Sequence, residues 1–128
     1  MYRITFFFIL LVFSGPAFPQ TGRLNTYKQK LNQLAREAPA PEADRERLQV
    51  LTEICKERYS LNGDTLCFYS RQAIQLAEKL KDIPAYYNAC NNYAWGLSMK
   101  GDLDSCEKYT QRYVELLAGK PEYREQYT

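Results

Sequence analysis

Apolar residues recur at every third or fourth position along most of this 128-residue chain, which is the spacing of one face of an α-helix. Five such stripes follow one another, bounded by glycine, proline, asparagine or aspartate. Alternating strand patterns do not occur after the first residues. The stripes predict one all-α domain with helices over about Leu24–Glu37, from near Asp44 to Tyr59, from Asp64 to Lys81, from near Pro84 to Met99 and over Leu103–Ala118.

The same stripes predict which side chains face the core. In the second helix they are Leu48, Leu51, Ile54, Cys55 and Tyr59. In the third they are Leu66, Tyr69, Ala73, Leu76, Ala77 and Leu80. In the fifth they are Cys106, Tyr109, Tyr113, Leu116 and Leu117. Asp64 and Asp102 are predicted to cap the third and fifth helices, because each follows a glycine turn and precedes an apolar stripe.

The fourth predicted helix differs from the others because it carries two stripes on opposite sides. The inward stripe consists of Tyr86, Cys90, Tyr93, Ala94 and Leu97. The other stripe consists of Asn88, Asn91, Asn92, Trp95 and Met99. A surface helix normally carries charged residues opposite its apolar stripe, whereas this one carries amides and an indole. The second stripe is therefore a candidate contact surface.

Two segments repeat the same pattern of a helix end, a glycine turn and an aspartate. Tyr59–Asp64 has the sequence YSLNGD and Leu97–Asp102 has LSMKGD, with glycines 38 residues apart. Units of two helices with a period of about 34 residues are typical of tetratricopeptide (TPR) repeats. The segment from about Asp44 to Ala118 resembles this family. In its second unit Tyr93-Ala94 stands where the family has Leu-Gly, and Gly101-Asp102-Leu103 resembles its Gly-Asp-Tyr turn.

The resemblance implies antiparallel helix hairpins stacked as a short right-handed TPR-like α-solenoid. It implies about two repeats, an N-terminal helix and the start of a further helix at Tyr123 and Tyr127. The concave groove of such a stack would be lined by Asn88, Asn91, Asn92, Trp95 and Met99. Asn92 corresponds to an asparagine that bonds the backbone or terminal carboxylate of an extended ligand, and Lys56 is the one cation expected near it. The alternative is that Asn91-Asn92 is merely common in such repeats and that Trp95 packs on a neighbouring helix.

The first residues have the order of a secretory signal peptide, predicted over residues 1–20. Arg3 supplies a basic start, Ile4–Phe13 an apolar run, and Ser14–Ala17 a small-residue exit. Ala17 and Gln20 are both candidate last residues of the leader. An uncleaved anchor or a buried helix is the alternative. The mature domain is then 21–128, exported to the periplasm or secreted, with no stable membrane span.

Composition excludes several kinds of chemistry. The chain has no histidine, which excludes Ser-His-Asp and Cys-His nucleophiles and histidine-ligated metals. Its six glycines fit no nucleotide-binding motif. The net charge of +2 has no basic block, so nucleic acid is not an expected partner. We therefore expect no catalytic residues, no cofactor and no metal. The sequence allows two states for the four cysteines, buried free thiols or disulfides: Cys55, Cys67, Cys90 and Cys106.

Two functions follow from these features. The first is an exported interaction module that binds an extended peptide or partner segment in its concave groove. The second is the sensory or scaffold N-terminal region of a bacterial receptor of the sensor-kinase type, because Asp64–Asp82 resembles signal-bearing TPR regions that precede such kinases. The chain is also expected to be marginally stable alone or to self-associate, because Tyr109, Tyr113 and Leu116 lack a full following hairpin and a repeat stack needs a polar cap.

Overall fold

This computed structural model describes residues 19–120, with side chains described for residues 22–120, and this part of the chain contains five α-helices. The helices are α1 (Pro19–Ala35), α2 (Pro41–Lys56), α3 (Gly63–Leu80), α4 (Ile83–Met99) and α5 (Leu103–Ala118). A short 3-10 helix, Arg58–Ser60, joins α2 to α3. Residues 19–120 contain no strand, so the all-α prediction is confirmed. The predicted leader up to Phe18 and the predicted turns at Tyr123 and Tyr127 lie outside the described residues.

Side-chain caps begin three of the helices. Asp82 accepts a hydrogen bond from the backbone N–H of Ala85 at 3.0 Å, and Asp102 accepts one from Ser105 at 3.2 Å. The predicted cap at Asp102 is confirmed.

The cap predicted at Asp64 is wrong. Helix α3 begins at Gly63, so Asn62 is the capping residue and accepts from the N–H of Thr65 at 2.8 Å. Asp64 lies in the first turn and forms an ion pair with Lys100 at 2.8 Å.

The predicted burial of Tyr59 is also wrong, because helix α2 ends at Lys56 and the chain then continues as a 3-10 turn. The spacing of 3.6 residues per turn does not extend past that end, so Tyr59 leaves the inward stripe and is 79% exposed. Leu61, the residue after the turn, is buried instead. This change brings Tyr59 and its neighbour Arg58 to the surface next to α4.

Each helix packs against the next one, and α2 also contacts α4. A smaller core lies among α1, α2 and α3 and consists of Leu34, Val50, Ile54, Cys55, Leu61 and Leu66. A larger core lies among α2, α3 and α4 and consists of Leu48, Leu51, Cys67, Ala73, Ile74, Ala77, Ala89, Cys90, Tyr93 and Leu97. Helix α5 has no fully buried residue. Its five predicted inward side chains are half-buried, and three of them, Cys106, Tyr109 and Tyr113, pack against the larger core.

Helices α3 and α4 approach each other closely at Gly63 and Gly96. A Cβ atom on Gly96 would lie 2.7 Å from the Cys67 sulfur and 3.1 Å from the Gly63 carbonyl oxygen. A Cβ atom on Gly63 would lie 2.8 Å from the Gly96 carbonyl oxygen. Only glycine leaves room for backbones at this separation. The crossing therefore fixes the position of α4 and of the residues on its outer face, Trp95 among them.

A buried carboxylate joins the first three helices. Asp44 accepts hydrogen bonds from Arg47 at 2.8 Å and from Lys79 at 2.6 Å. Arg47 also donates to the carbonyl oxygen of Leu34 near the C-terminus of α1, at 2.9 Å. The hydrogen bond from Lys79 lowers the pKa of Asp44, although burial acts in the opposite direction. Asp44 therefore stays charged at neutral pH and links α2 to α3, while Arg47 links α2 to α1.

All four cysteines are free thiols. Cys55, Cys67 and Cys90 are buried, and Cys106 is half-buried. Burial raises the pKa of Cys55 to about 12 and raises the pKa values of Cys67 and Cys90 as well. These thiols are protonated at neutral pH and contribute to packing as small apolar side chains.

Candidate functional site

A cavity of about 280 Å³ lies between α2 and α4. Asn88, Asn91 and Asn92 of α4 line one side of it, so the structure brings together the three asparagines of the predicted contact surface. The other lining residues come from α2 and from the 3-10 turn: Thr52, Cys55, Lys56, Arg58 and Tyr59. We call this cavity the amide groove.

The inward stripe of α4 explains why the asparagines face the groove. Cys90, Tyr93 and Leu97 are buried in the larger core on the opposite side of the helix. Positions one to two residues away from them point about 100–200° around the helix axis, so the asparagines point away from that stripe, and the cavity that they line shows that they face the Thr52–Lys56 part of α2. All three asparagines are half-buried, so each can still form hydrogen bonds with a bound molecule.

Trp95 and Met99 lie on the same side of α4 but do not line the amide groove. Trp95 is 41% exposed and Met99 is 48% exposed. The Trp95 ring meets the Tyr59 ring edge to face, with 6.0 Å between centroids. The Arg58 guanidinium lies 4.8 Å from the centroid of the Trp95 ring and 5.2 Å from that of Tyr59. We call these three residues the Arg58 stack.

The two cations of the amide groove differ in their partners. Lys56 forms an ion pair with Glu53 at 2.6 Å. Within residues 22–120, Arg58 has no carboxylate at ion-pair distance and donates no side-chain hydrogen bond, so its described contacts are the two aromatic rings. The described lining of the groove includes both cations and no carboxylate. The groove is therefore electropositive where it meets the Arg58 stack.

A second cavity, of about 220 Å³, continues the amide groove along α2 and α4. Thr52 borders both cavities. The remaining lining residues are Arg45, Leu48, Gln49, Glu53, Asp82 and Ala85. The α4 segment from Ala85 to Trp95 rises about 15 Å. An extended peptide covers that distance with about five residues.

Sequence reasoning missed Arg58 and placed Tyr59 in the core. The available signal was the proximity of Arg58 and Tyr59 to the Asn62-Gly63 break, since a helix commonly ends a few residues before such a break. The sequence gives no indication that Arg58 contacts Trp95, because that contact joins two separate helices.

The groove offers hydrogen bonding and stacking, and its one thiol is unsuited to nucleophilic chemistry. Cys55 borders the groove, but with its pKa raised to about 12 it is a thiol and not a thiolate at neutral pH. Within the described residues, no three His, Cys, Asp or Glu side chains are grouped as metal ligands would be. Over residues 19–120, none of the helices has the length and apolar character that crossing a membrane requires.

Comparisons of the chain with protein-family models, with curated proteins and with solved structures found no match.

Proposed function

We propose that this protein is a TPR-like interaction module that binds an extended segment of a partner protein in the amide groove. One observation carries the proposal: Asn88, Asn91 and Asn92 line a single cavity that faces α2, with an exposed tryptophan at its end. Tryptophan, tyrosine and arginine are the residue types that most often dominate protein–protein binding energy, and Trp95, Tyr59 and Arg58 meet at this end of the groove.

The order of helix contacts supports the repeat interpretation. Helices α2 and α3 form one hairpin and α4 and α5 form the next, and the first helices of the two hairpins touch each other. In stacked helical repeats such first helices line a continuous concave surface. The turn between α4 and α5 contains Gly101 at a φ of 79°, followed by the Asp102 cap. We propose a right-handed stack because that is the sense implied by the resemblance of these hairpins to TPR repeats.

The chemistry of asparagine suits an extended peptide backbone. Each side-chain amide carries a donor and an acceptor, and a peptide unit offers the complementary pair. Three amides at one cavity can therefore bind backbone groups without selecting particular side chains. Selectivity would then come from the end of the groove where Arg58 and Trp95 meet.

Selection from a display library of random 12-residue peptides on the immobilised protein tests the proposal. We expect the selected peptides to lose binding to Asn92→Ala by about 1–3 kcal/mol, the cost of an unpaired buried hydrogen-bonding group. Trp95→Ala should cost about 2 kcal/mol or more.

The matched control is Phe68→Ala, which removes another exposed aromatic side chain, on α3, that is 63% exposed. It should leave binding unchanged. Thermal unfolding followed by circular dichroism should show Trp95→Ala to be folded like the unmodified protein. If the selected peptides bind Asn92→Ala and Trp95→Ala as tightly as the unmodified protein, the proposed function is wrong.

A further inference from the structure

We infer that the partner segment carries an acidic side chain that binds Arg58, within two positions of a bulky apolar residue that lies against Trp95. This inference rests on the proposed function and specifies the chemistry of the peptide that the amide groove selects.

Charge is the first reason. The described lining of the amide groove has two cations and no carboxylate. The ammonium group of Lys56 is already paired with the carboxylate of Glu53. Arg58 is thus the lining cation that no described carboxylate neutralises, and an acidic group from outside would supply the missing counter-charge.

The geometry of Arg58 is the second reason. Its guanidinium carbon lies over the rings of Tyr59 and Trp95, which are inclined at 80° to each other, so the planar group can stack face-on against only one of them. The N–H groups point outward from its edge, in the plane of the group, and that arrangement matches the two oxygens of a carboxylate. Stacking also restricts the side chain before binding, which lowers the entropy cost of forming the pair. The Arg58 stack is therefore a preorganised carboxylate site.

The exposed apolar surface next to Arg58 is the third reason. Tyr59, Trp95 and Met99 are among the exposed large apolar side chains of the described chain. Trp95 and Met99 are four residues apart on one helix and so are neighbours on its surface. In an extended peptide, residues two positions apart point to the same side and lie about 7 Å from each other. One such pair can place its carboxylate on Arg58 and its apolar side chain on Trp95.

We assign the carboxylate to a side chain and not to a chain terminus. Tyr59, a member of the Arg58 stack, lines the groove and is 79% exposed, so solvent reaches the groove at that end. On the other side of the amides the groove continues past Thr52 into the second cavity. A peptide can therefore extend in both directions from the asparagines.

The experiment uses the full chain and a positional-scanning library of acetylated, amidated heptapeptides. Because the chain has one tryptophan, intrinsic fluorescence reports on Trp95 directly. We expect pools with a fixed Asp or Glu to bind about tenfold more tightly than pools with Asn or Gln, the scale of a charge-assisted hydrogen bond. Pools that also carry Phe or Leu two positions from the acidic residue should bind more tightly than pools with the acidic residue alone.

Arg58→Gln should abolish the acidic preference. Arg112→Gln should retain it, because Arg112 stacks on Tyr109, 5.6 Å from the ring centroid, on α5 and away from the groove. A parallel set of peptides with free C-terminal carboxylates and no acidic side chains distinguishes the two sources of the group. Tight binding of that set alone would overturn the assignment to a side chain.

The outcomes separate this inference from the proposed function. Binding that needs Asn92 but shows no acidic preference, or keeps that preference in Arg58→Gln, overturns the inference and leaves the proposed function standing. Library pools and display-selected peptides that bind without any dependence on Asn92 or Trp95 overturn both.

Discussion

Replacement of Gly96 by alanine tests the close crossing of α3 and α4. The new methyl group would lie 2.7 Å from the Cys67 sulfur, 3.1 Å from the Gly63 carbonyl oxygen and 3.2 Å from the Cys67 backbone nitrogen. Two of these three atoms belong to the backbone of α3 and cannot rotate away. The helices would have to separate.

Two effects of opposite sign determine how much Gly96→Ala changes the free energy of unfolding. Alanine is the better helix former by about 1 kcal/mol, which favours the variant. Overpacking of a tight interface costs typically 1–3 kcal/mol and occasionally more, and here the backbone contacts place the cost at the upper end. We expect the free energy of unfolding to fall by about 1–2 kcal/mol for Gly96→Ala. Asn92 and Trp95 lie on the same helix, so peptide binding should weaken as well.

Urea unfolding followed by circular dichroism measures the effect, and Gly22→Ala is the matched control. Gly22 also lies inside a helix, but a Cβ atom there would have nothing within 4 Å. The free energy of unfolding of Gly22→Ala should rise by up to about 1 kcal/mol. The double variant Cys67→Ala/Gly96→Ala should lose less stability than the sum of the single variants, because the sulfur contact is removed. If Gly96→Ala gained stability as Gly22→Ala does, the helices would not cross as described.

Three further predictions concern charge, thiols and export. The lowered pKa of Asp44 means that its stabilising effect is present above the unfolded value of about 3.9 and is lost as the pH falls through the folded value. Asp44→Asn should therefore lower stability at pH 7 and flatten the acid-induced loss in urea titrations; an unchanged acid profile would contradict this. Ellman's reagent should label Cys106 first and the three buried thiols only upon unfolding; equal rates for all four would contradict their burial. Protein recovered from the expressing cell should have an intact mass that lacks at least residues 1–17, and retention of Met1 would contradict cleavage.

Local features of the fold were predictable from the sequence. Helix α5 has the predicted bounds, Leu103–Ala118, because Asp102 and Gly119 are strong local start and stop signals. The burial of Tyr93, Ala94 and Leu97 follows from helical spacing alone. For the same reason the three asparagines of α4 could be assigned to one face before any contact was known.

Features that depend on two separate segments were not predictable. Asp44 meets Lys79 across 35 residues of chain, and no local pattern indicates that pair. Gly63 and Gly96 were assigned to a turn and to a helix interior, and neither assignment shows that their backbones touch. The contact of Arg58 with α4 was missed because the direction of its side chain depends on the residue at which α2 ends. A local break signal defines such an end only to within a few residues.

The central claim is that the amide groove binds a peptide, and side-chain NMR signals test it most directly. In ¹H–¹⁵N spectra of the full chain, a peptide selected from the display library should shift the amide signals of Asn88, Asn91 and Asn92 and the indole N–H signal of Trp95. The amide signals of Asn25 and Asn32 on α1 should stay in place as internal controls. Shifts confined to residues outside the groove, with the three asparagines and Trp95 unmoved at saturating peptide, would contradict the account.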